Sequence, residues 1–317
     1  MDGGKMFETS RVICSNLDSI AKEQGRLHEM ALCELSLAAA TIASSVSEGI
    51  AAGMSLNELM TVLSEETVLL PADPSNDTPD FTVENVRKFM AQQNGIDKAA
   101  FALQLSSRLS EAGISVTESE YLDTEEQPET VAYVRNALSD EAFDVFSQEF
   151  SDPRVIYAQS FREACAAVAD RKAGYCILPY EERGGARIPT ISALVSSYDL
   201  KIIAITPVFG FEGNADMKYA LIGRSFVIPE CDDLTDRYLE LSVSCNSNVS
   251  LGELLSAAEY MSLSVFGVYT DVSSSVESES YFTLILKDGG STFAPFLTYL
   301  CLFVGEFEPM GLYKNIE

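Results

Sequence analysis

The sequence predicts an α/β protein whose helices and strands are unevenly distributed along the chain. Helical periodicity dominates the first part, and short β-branched and aromatic runs alternate with helical stretches from about residue 129. The last ninety residues follow the order strand, helix, strand, strand, helix, strand. A chain of 317 residues is long enough for two or three domains. We predict a helical N-terminal domain at 1–128, an α/β domain at 129–227 and a third domain at 228–317.

The N-terminal region contains Ala-rich and Leu-rich periodic stretches at 30–52 and 56–63, and we expect its first 70 residues to be helical. Residues 71–79 are polar and contain three prolines, which is typical of a linker. Two further helices fit residues 83–93 and 96–112. An acidic stretch at 118–129 then ends the region.

The central region should form a sheet with helices between its strands. Residues 161–169 are helical in pattern, and Ser139, followed by two acids, looks like another helix start. Serine–glutamate capping boxes at 55–58, 160–163 and 250–253 mark three more helix starts. The predicted strands are 131–134, 155–158, 175–179, 202–206 and 219–222.

The C-terminal region is predicted to have a ferredoxin-like βαββαβ fold. Its helices fit residues 251–261 and 291–304, and residues 272–279 form the polar turn between its middle strands. The predicted strands are 238–245, 263–271, 280–287 and 310–313.

The net charge of −27 argues against nucleic acid or an anionic membrane surface as a partner. Its distribution is uneven, because residues 129–226 carry 13 acids and 10 bases whereas residues 227–317 carry 14 acids and 3 bases. A small anion would therefore find enough positive charge only in the central region. The acidic flanks could equally serve only to keep the protein soluble.

Other features of the sequence indicate a reduced compartment and no bound cofactor. The seven cysteines are scattered singly, which favours a cytoplasmic location. The N-terminus lacks the pattern of a signal peptide, and the most apolar stretch, 37–46, is too short to span a bilayer. His28 is the only histidine, and no P-loop or dinucleotide fingerprint occurs, so we expect no metal and no nucleotide cofactor.

Several short segments resemble prephenate dehydratase and the ACT domain that follows it. Residues 131–133 (VAY) are similar to the first strand of that family, and 157–164 (YAQSFREA) to a later strand-to-helix step. Residues 174–181 (GYCILPYE) resemble the strand that ends in Pro-Ile-Glu-Asn-Ser, and 310–313 (MGLY) resemble the Leu-Gly-Ser-Tyr ending. The resemblance covers about the last 185 residues. It implies a periplasmic-binding-protein-like lobe at 129–227 and an ACT-type domain at 228–317.

The catalytic positions of the family are not kept. The family inserts a whole second lobe before its Thr-Arg-Phe motif, whereas residues 205–214 read as a short connection. Met217 aligns with the catalytic threonine, and Lys218 replaces the arginine. The two phenylalanine-binding motifs of the ACT domain fall on residues 249–251 and 269–272, where their residues are missing. The resemblance therefore implies the fold without the chemistry, and we assign no catalytic residue.

The loop after strand 175–179 is the best candidate for a ligand site, because open α/β sheets bind ligands at the carboxyl ends of their strands. Arg183 and Arg187 lie there with Glu181, and arginine forks suit carboxylates. Ser139 at a helix start could add backbone amides, and Lys218 could add a positive charge. The alternative is that these side chains make only surface ion pairs.

Three functions remain open at this point. The first is a non-enzymatic, regulatory binding protein that senses a small anionic or aromatic metabolite, such as an aromatic amino acid. The second is a structural, partner-binding scaffold, and the third is an active prephenate dehydratase. By analogy with ACT-type sheets, which pair edge to edge, we expect a homodimer.

The N-terminal region occupies the place of chorismate mutase in fused members of the family. That activity, as it works in the family, relies on several arginines and lysines, and here 21 acids outnumber 8 bases over residues 1–128. A structural or dimerising helical domain is the better expectation.

Overall fold

The computed structural model describes residues 3–56, 58–60, 90–91, 93–209, 217–229, 237–245, 247, 249–271, 281–289 and 292–316. For residues 3–21, 23–25 and 27–28 it describes the backbone only. The predicted linker at 71–79, most of the predicted helix at 83–93 and the turn at 272–279 lie outside the described residues.

The described residues form a mixed sheet of nine strands in the order β2-β1-β3-β5-β4-β9-β6-β8-β7. Each strand overlaps one that the sequence predicts, because the β-branched and aromatic runs are bounded by turn residues. The strands are β1 Thr130–Tyr133, β2 Arg154–Tyr157, β3 Tyr175–Glu182, β4 Lys201–Val208, β5 Met217–Gly223, β6 Arg237–Ser244, β7 Ser264–Asp271, β8 Tyr281–Lys287 and β9 Phe307–Asn315.

Seven α-helices surround this sheet in the described part of the chain. Five of them overlap predicted helices, and α3 lies at the helix start predicted near Ser139. Helix α5, which begins at a proline, was not predicted. The helices are α1 Gly3–Ala51, α2 Gly95–Glu111, α3 Ala137–Phe146, α4 Phe161–Ala169, α5 Pro189–Ser197, α6 Leu251–Tyr260 and α7 Ala294–Tyr299. A π-helical turn, Leu300–Val304, extends α7.

Strands β1 to β5 form an α/β lobe in which β1 pairs in parallel with β2 and β3, while β5 lies antiparallel between β3 and β4. This order matches the periplasmic-binding-protein-like lobe that the sequence predicts. Helix α3 covers one face of the lobe through Ala142 and Phe146, and α4 and α5 cover the other through Cys165 and Ile191.

The ferredoxin-like half has the strand order β9-β6-β8-β7, with every pair antiparallel, and its helices α6 and α7 cover one face. This is the βαββαβ topology that the sequence predicts, so the fold class is confirmed. Strand β9 also pairs in parallel with β4, which joins the two halves into one sheet. The division into three domains stays a prediction, since the sheet crosses its second boundary.

The N-terminal helices stack on the helical face of the ferredoxin-like half. Ala99 and Ala102 of α2 pack into the same core as Leu254 and Leu297 of α6 and α7. Helix α1 lies outside α2, and its side chains at Leu35, Ile42 and Val46 pack with Phe101, Leu105 and Leu109. The N-terminal region is therefore layered over α6 and α7.

Residues Glu29–Ala51 of α1 are long and apolar enough to cross a membrane, by length and composition only. From the sequence, only the stretch 37–46 was tested, and it is too short to span a bilayer. Alanine and serine residues on either side extend this stretch to the length found here. One-third (33%) of the most apolar window is buried inside the structure, where its apolar side chains face α2. Core helices of soluble proteins pass the same test, so the finding is weak evidence for a membrane span.

Candidate functional site

Strand β3 ends in a tight hairpin that brings Arg187 beside Glu181, two of the predicted site residues. The amide of Glu182 donates to the carbonyl of Ala186 at 2.8 Å, and Gly184 and Gly185 adopt positive φ values of 99° and 84°. This turn places Arg187 opposite Glu181, with which it forms an isolated bridge. The two glycines act as the turn residues of this hairpin.

Arg187 is the centre of a buried ionic cluster. Its Nη1 and Nη2 donate to Oε1 and Oε2 of Glu240 on β6, at 2.9 and 2.8 Å, which is a bidentate fork. Its Nε lies 3.7 Å from Oε1 of Glu181, and Oε2 of Glu181 lies 2.7 Å from Nζ of Lys218. Two acids and two bases meet here, so the cluster has no net charge when all four are ionised.

Tyrosines surround the same cluster. The Tyr180 hydroxyl donates a short hydrogen bond to Oε2 of Glu240, and the Tyr313 hydroxyl lies 3.4 Å from the same oxygen. The guanidinium carbon of Arg187 lies 3.9 Å from the ring centroid of Tyr180 and 5.0 Å from that of Tyr269. These distances favour cation–π attraction in a site shielded from water.

The pKa shifts in the cluster follow from burial and from Glu240. Burial, and then the negative charge of Glu240, raise the pKa of the Tyr180 and Tyr313 hydroxyls, so both stay neutral well above their ordinary range. Burial alone would lower the pKa of Arg187, but its contacts with Glu240 outweigh burial and raise it. The guanidinium is therefore held in its charged form.

The structure brings three of the five predicted residues together. Glu181, Arg187 and Lys218 share the cluster, with side chains 6%, 12% and 37% exposed respectively. Arg183 lies at the exposed turn of the hairpin. The role of these residues in ligand binding stays a prediction.

Ser139 lies away from the cluster, and its predicted place at the start of a helix is wrong by three residues. Asn136 is the N-cap of α3, and its side chain accepts from the amides of Leu138 and Ser139, each at 3.0 Å. The Ser139 hydroxyl donates to the carbonyl of Val134 at 2.6 Å and accepts from the Asn136 amide. Asparagine caps helices as well as serine does. The chain itself therefore satisfies the amides that Ser139 was expected to offer.

Sequence reasoning missed Glu240, Tyr180, Tyr269 and Tyr313. Tyr180 was within the matched segment, and its place beside Glu181 was the available signal. Glu240, Tyr269 and Tyr313 come from β6, β7 and β9, and only the parallel pairing of β4 with β9 brings those strands near the hairpin. No local pattern encodes that pairing.

The predicted short connection between β4 and β5 is confirmed. Only residues 209–216 separate these strands, which pair directly as antiparallel neighbours. Met217 opens β5, half-buried, opposite Glu182 of β3. No second lobe is therefore inserted at this point of the chain.

Two shallow surface cavities occur elsewhere on the described surface. One of about 250 Å³ lies at the amino ends of β1 and β2, lined by Glu129 and Arg154, among others. Another of about 270 Å³ lies beside Ser242 and Glu308. In the described residues, no group of three or more histidine, cysteine or acidic side chains is arranged to hold a metal ion.

Comparisons with known proteins connect the chain with one fold. It resembles a prephenate dehydratase from Streptococcus mutans, with a TM-score of 0.46 at 13% identity over 59% of this chain and 98% of that one. It also resembles a prephenate dehydratase from Arthrobacter aurescens in complex with L-Phe, with a TM-score of 0.43 at 10% identity over 58% of this chain and 90% of that one.

A third solved structure, GqqA, is described as a novel type of quorum quenching acylase. It is similar with a TM-score of 0.44 at 17% identity over 59% of this chain and 95% of that one. No protein-family model matches the sequence, and no curated protein matches it. At these identities and TM-scores the likenesses describe fold alone, and they include prephenate dehydratases.

Proposed function

We propose that this chain is a non-catalytic relative of prephenate dehydratase that acts by binding, in a regulatory role. One observation carries the proposal: the cationic groups at the end of β3 are already neutralised by Glu181 and Glu240 of the same chain. A dehydratase site would have to anchor the two carboxylates of its substrate with such groups. The resemblance also aligns Met217 with the catalytic threonine, and a thioether cannot donate a proton.

The surroundings of the cluster support the same proposal. The dehydration reaction needs a closed cleft that excludes water, and β4 runs to β5 without an inserted lobe. Of the described N-terminal helices, neither supplies the missing wall where it lies, because α2 packs on α6 and α7 and α1 packs on α2. An active dehydratase is therefore the least favoured of the three functions.

A small carboxylate or aromatic amino acid is the ligand class that the cluster best fits. A bidentate arginine fork is the preferred geometry for a carboxylate, and the rings of Tyr180, Tyr269 and Tyr313 are suited to an aromatic side chain. In the present geometry Glu240 already fills the fork, so a ligand would have to displace it.

A partner-binding scaffold is the second candidate, and the outer edge of the sheet favours it. Strand β7 is the edge strand, and Val265, Phe266 and Val268 on it are 37%, 52% and 38% exposed. Open, apolar edge strands are templates for pairing with another chain. We propose that a homodimer forms through this edge.

A dehydratase assay tests the absence of catalysis. Purified protein is expected to leave prephenate unconverted beyond the spontaneous rate, and Met217→Thr is expected to remain equally inactive because the cleft lacks a second wall. Protein-dependent formation of phenylpyruvate that Lys218→Ala abolishes would overturn the proposal.

A thermal-shift panel tests the ligand class. It includes prephenate, phenylpyruvate, phenylalanine, tyrosine and tryptophan, with Arg187→Ala as the site variant and Arg183→Ala as the matched surface control. A shift in the wild type that Arg183→Ala keeps and Arg187→Ala loses would support the sensor. If no compound shifts the melting temperature, a partner-binding scaffold is favoured over a metabolite sensor.

Light scattering of the wild type and of Phe266→Glu tests the dimer. The wild type is expected to have the mass of two chains and the variant that of one. A wild type that stays monomeric at high micromolar concentration would rule out the dimer.

A further inference from the structure

We infer that the Arg187 cluster is a carboxylate-binding site that Glu240 occupies from within the chain, and that an aromatic carboxylate enters it only by displacing Glu240. This inference rests on the proposed binding role, and it names the group that controls access to the site.

Glu240 is held as a bound carboxylate ligand would be. Its two oxygens accept both Nη groups of Arg187 at 2.9 and 2.8 Å, and Oε2 also accepts from the hydroxyls of Tyr180 and Tyr313. Its side chain is only 4% exposed. Four donors around one carboxylate, two of them in a planar fork, form a preorganised recognition site and exceed what a simple ion pair requires.

The other charges make this site dependent on an anion. Glu181 lies 2.7 Å from Lys218, which leaves Arg187 to be neutralised by Glu240. If Glu240 moves away, the cluster gains one net positive charge in a buried setting. Because an uncompensated buried charge is costly, an external carboxylate would be drawn into the vacancy.

The rings around the fork define the chemical class of the external ligand. Tyr180 and Tyr269 lie against the guanidinium, and the ring of Tyr238 stacks on Tyr313 at a centroid distance of 5.6 Å. A flat, apolar group attached to the carboxylate would meet aromatic faces here. An aromatic monocarboxylate therefore fits better than a dianion, since the fork offers a single arginine.

The fork lies next to an exposed hairpin. Lys218 is 37% exposed at the rim, and residues 182–186 of the hairpin are exposed. A Cβ added to Gly184 or Gly185 would have no atom within 4 Å. Arg187 follows these two residues, at the end of the exposed turn. The cluster thus lies under one short hairpin, and its residues Tyr180 and Tyr313 belong to the core that α4 and α5 cover.

The test removes Glu240 and supplies the missing fragment. Glu240→Ala lacks a two-carbon carboxylate, which is acetate, so acetate is expected to raise the melting temperature of this variant. At ten times its dissociation constant the rise should be about 2–4 °C, measured against chloride at equal ionic strength. Benzoate and phenylacetate should act at lower concentrations than acetate.

Three matched proteins identify the site. The wild type and Glu240→Gln should not respond to acetate, because the side chain at position 240 fills the space. The double variant Glu240→Ala/Arg187→Ala should not respond either, because it lacks the arginine fork. A response of the double variant equal to that of Glu240→Ala would overturn the inference, as would no response of Glu240→Ala to any of the three carboxylates.

Folding of the variant is itself informative. If Glu240→Ala is soluble in acetate and precipitates on dialysis against chloride, the inference is supported. If the variant is insoluble in both buffers, the inference is overturned. Failure here is distinguishable from failure of the proposed function, because the dehydratase assay uses the wild type and its outcome does not depend on acetate.

Discussion

Two largely buried arginines, Arg187 on the hairpin after β3 and Arg237 on β6, meet carboxylates in different ways. Arg187 offers both Nη atoms to the single carboxylate of Glu240. Arg237, the first residue of β6, uses Nη2 alone for two carboxylates, those of Glu118 at 3.1 Å and Asp288 at 2.9 Å. Glu118 also accepts from the amide of Phe293 at 3.0 Å.

The difference separates a recognition geometry from a structural one. The Arg237 cluster ties the segment before β1 and the loop before α7 to the start of β6, and its three groups carry a net charge of −1 when ionised. The Arg187 cluster joins the hairpin to β6 with balanced charge and aromatic walls. Arg237 therefore joins three segments, whereas Arg187 joins the hairpin to β6 through a bidentate fork, the geometry on which the proposed binding role rests.

The largest expected effect is that of removing Arg237. Arg237→Ala removes the positive charge that Arg237 places against the carboxylates of Glu118 and Asp288, and both residues are at most 5% exposed. We expect the free energy of unfolding to fall by about 3–5 kcal/mol, measured by urea denaturation. Arg237→Lys, which keeps the charge, should lose clearly less, and equal losses would show that charge is not what Arg237 supplies.

A double-mutant cycle at Arg187 and Glu240 should show how the second cluster differs. Each single alanine variant leaves a buried charge and should cost about 3–5 kcal/mol, whereas the double variant should cost less than the sum of the two. Urea denaturation of the four proteins gives the coupling free energy. Additive losses would mean that the fork contributes no specific interaction.

Alkaline pH should weaken the Arg187 cluster more than the Arg237 cluster. Burial and Glu240 raise the pKa of Tyr180 and Tyr313 above that in the unfolded chain, which is about 10. Their contribution is therefore fully present below pH 10 and is lost as pH rises further. At pH 11 the two should together cost about 2–3 kcal/mol.

Denaturation of the wild type and of Tyr180→Phe at pH 9, 10 and 11 measures this loss. The free energy of unfolding of the variant should decline less between pH 10 and 11 than that of the wild type. Part of the decline will remain, because burial also raises the pKa of Tyr121 and Tyr299. Identical declines in the two proteins would mean that Tyr180 ionises in the folded state as easily as in the unfolded chain.

The strands were predictable from sequence because each is a short run of β-branched and aromatic residues bounded by turn residues. The position of the site was predictable in part, since the hairpin after β3 carries Glu181 and Arg187 itself. The carboxylate that pairs with Arg187, that of Glu240, was not predictable. Glu240 reaches Arg187 through pairing between β4 and β9, whose residues Ile202 and Gly311 are more than a hundred positions apart.

Helix starts show a second limit of local reasoning. Asn136 and Ser139 are both good N-cap residues, and the sequence prediction placed the helix start at Ser139. The structure decides because the Ser139 hydroxyl reaches back to the carbonyl of Val134, where β1 ends. Packing of α3 on the sheet through Ala142 and Phe146 thus fixes the register of the cap.

Removal of single hydroxyls compares a paired tyrosine with an unpaired one. Tyr180→Phe loses a hydrogen bond to the charged Glu240 and should cost about 1.5–3 kcal/mol. The buried Tyr299 hydroxyl has no hydrogen-bond partner among the described residues, so Tyr299→Phe should be neutral or stabilising. Thermal melts of both variants check this, and a stabilised Tyr180→Phe would contradict the geometry of the cluster.

The smallest expected effect concerns the hairpin that positions Arg187. Gly185 has φ +84°, a conformation that costs an L residue about 1 kcal/mol, while open space surrounds its Cα. Gly185→Ala should therefore lower stability by about that amount, and Gly252→Ala, at the exposed second position of α6, should raise it by up to about 1 kcal/mol. Because the hairpin carries Arg187 but not Arg237, Gly185→Ala should also reduce the coupling between Arg187 and Glu240 while leaving the cost of Arg237→Lys unchanged. If both quantities change together, the two clusters form one cooperative unit and the distinction between them fails.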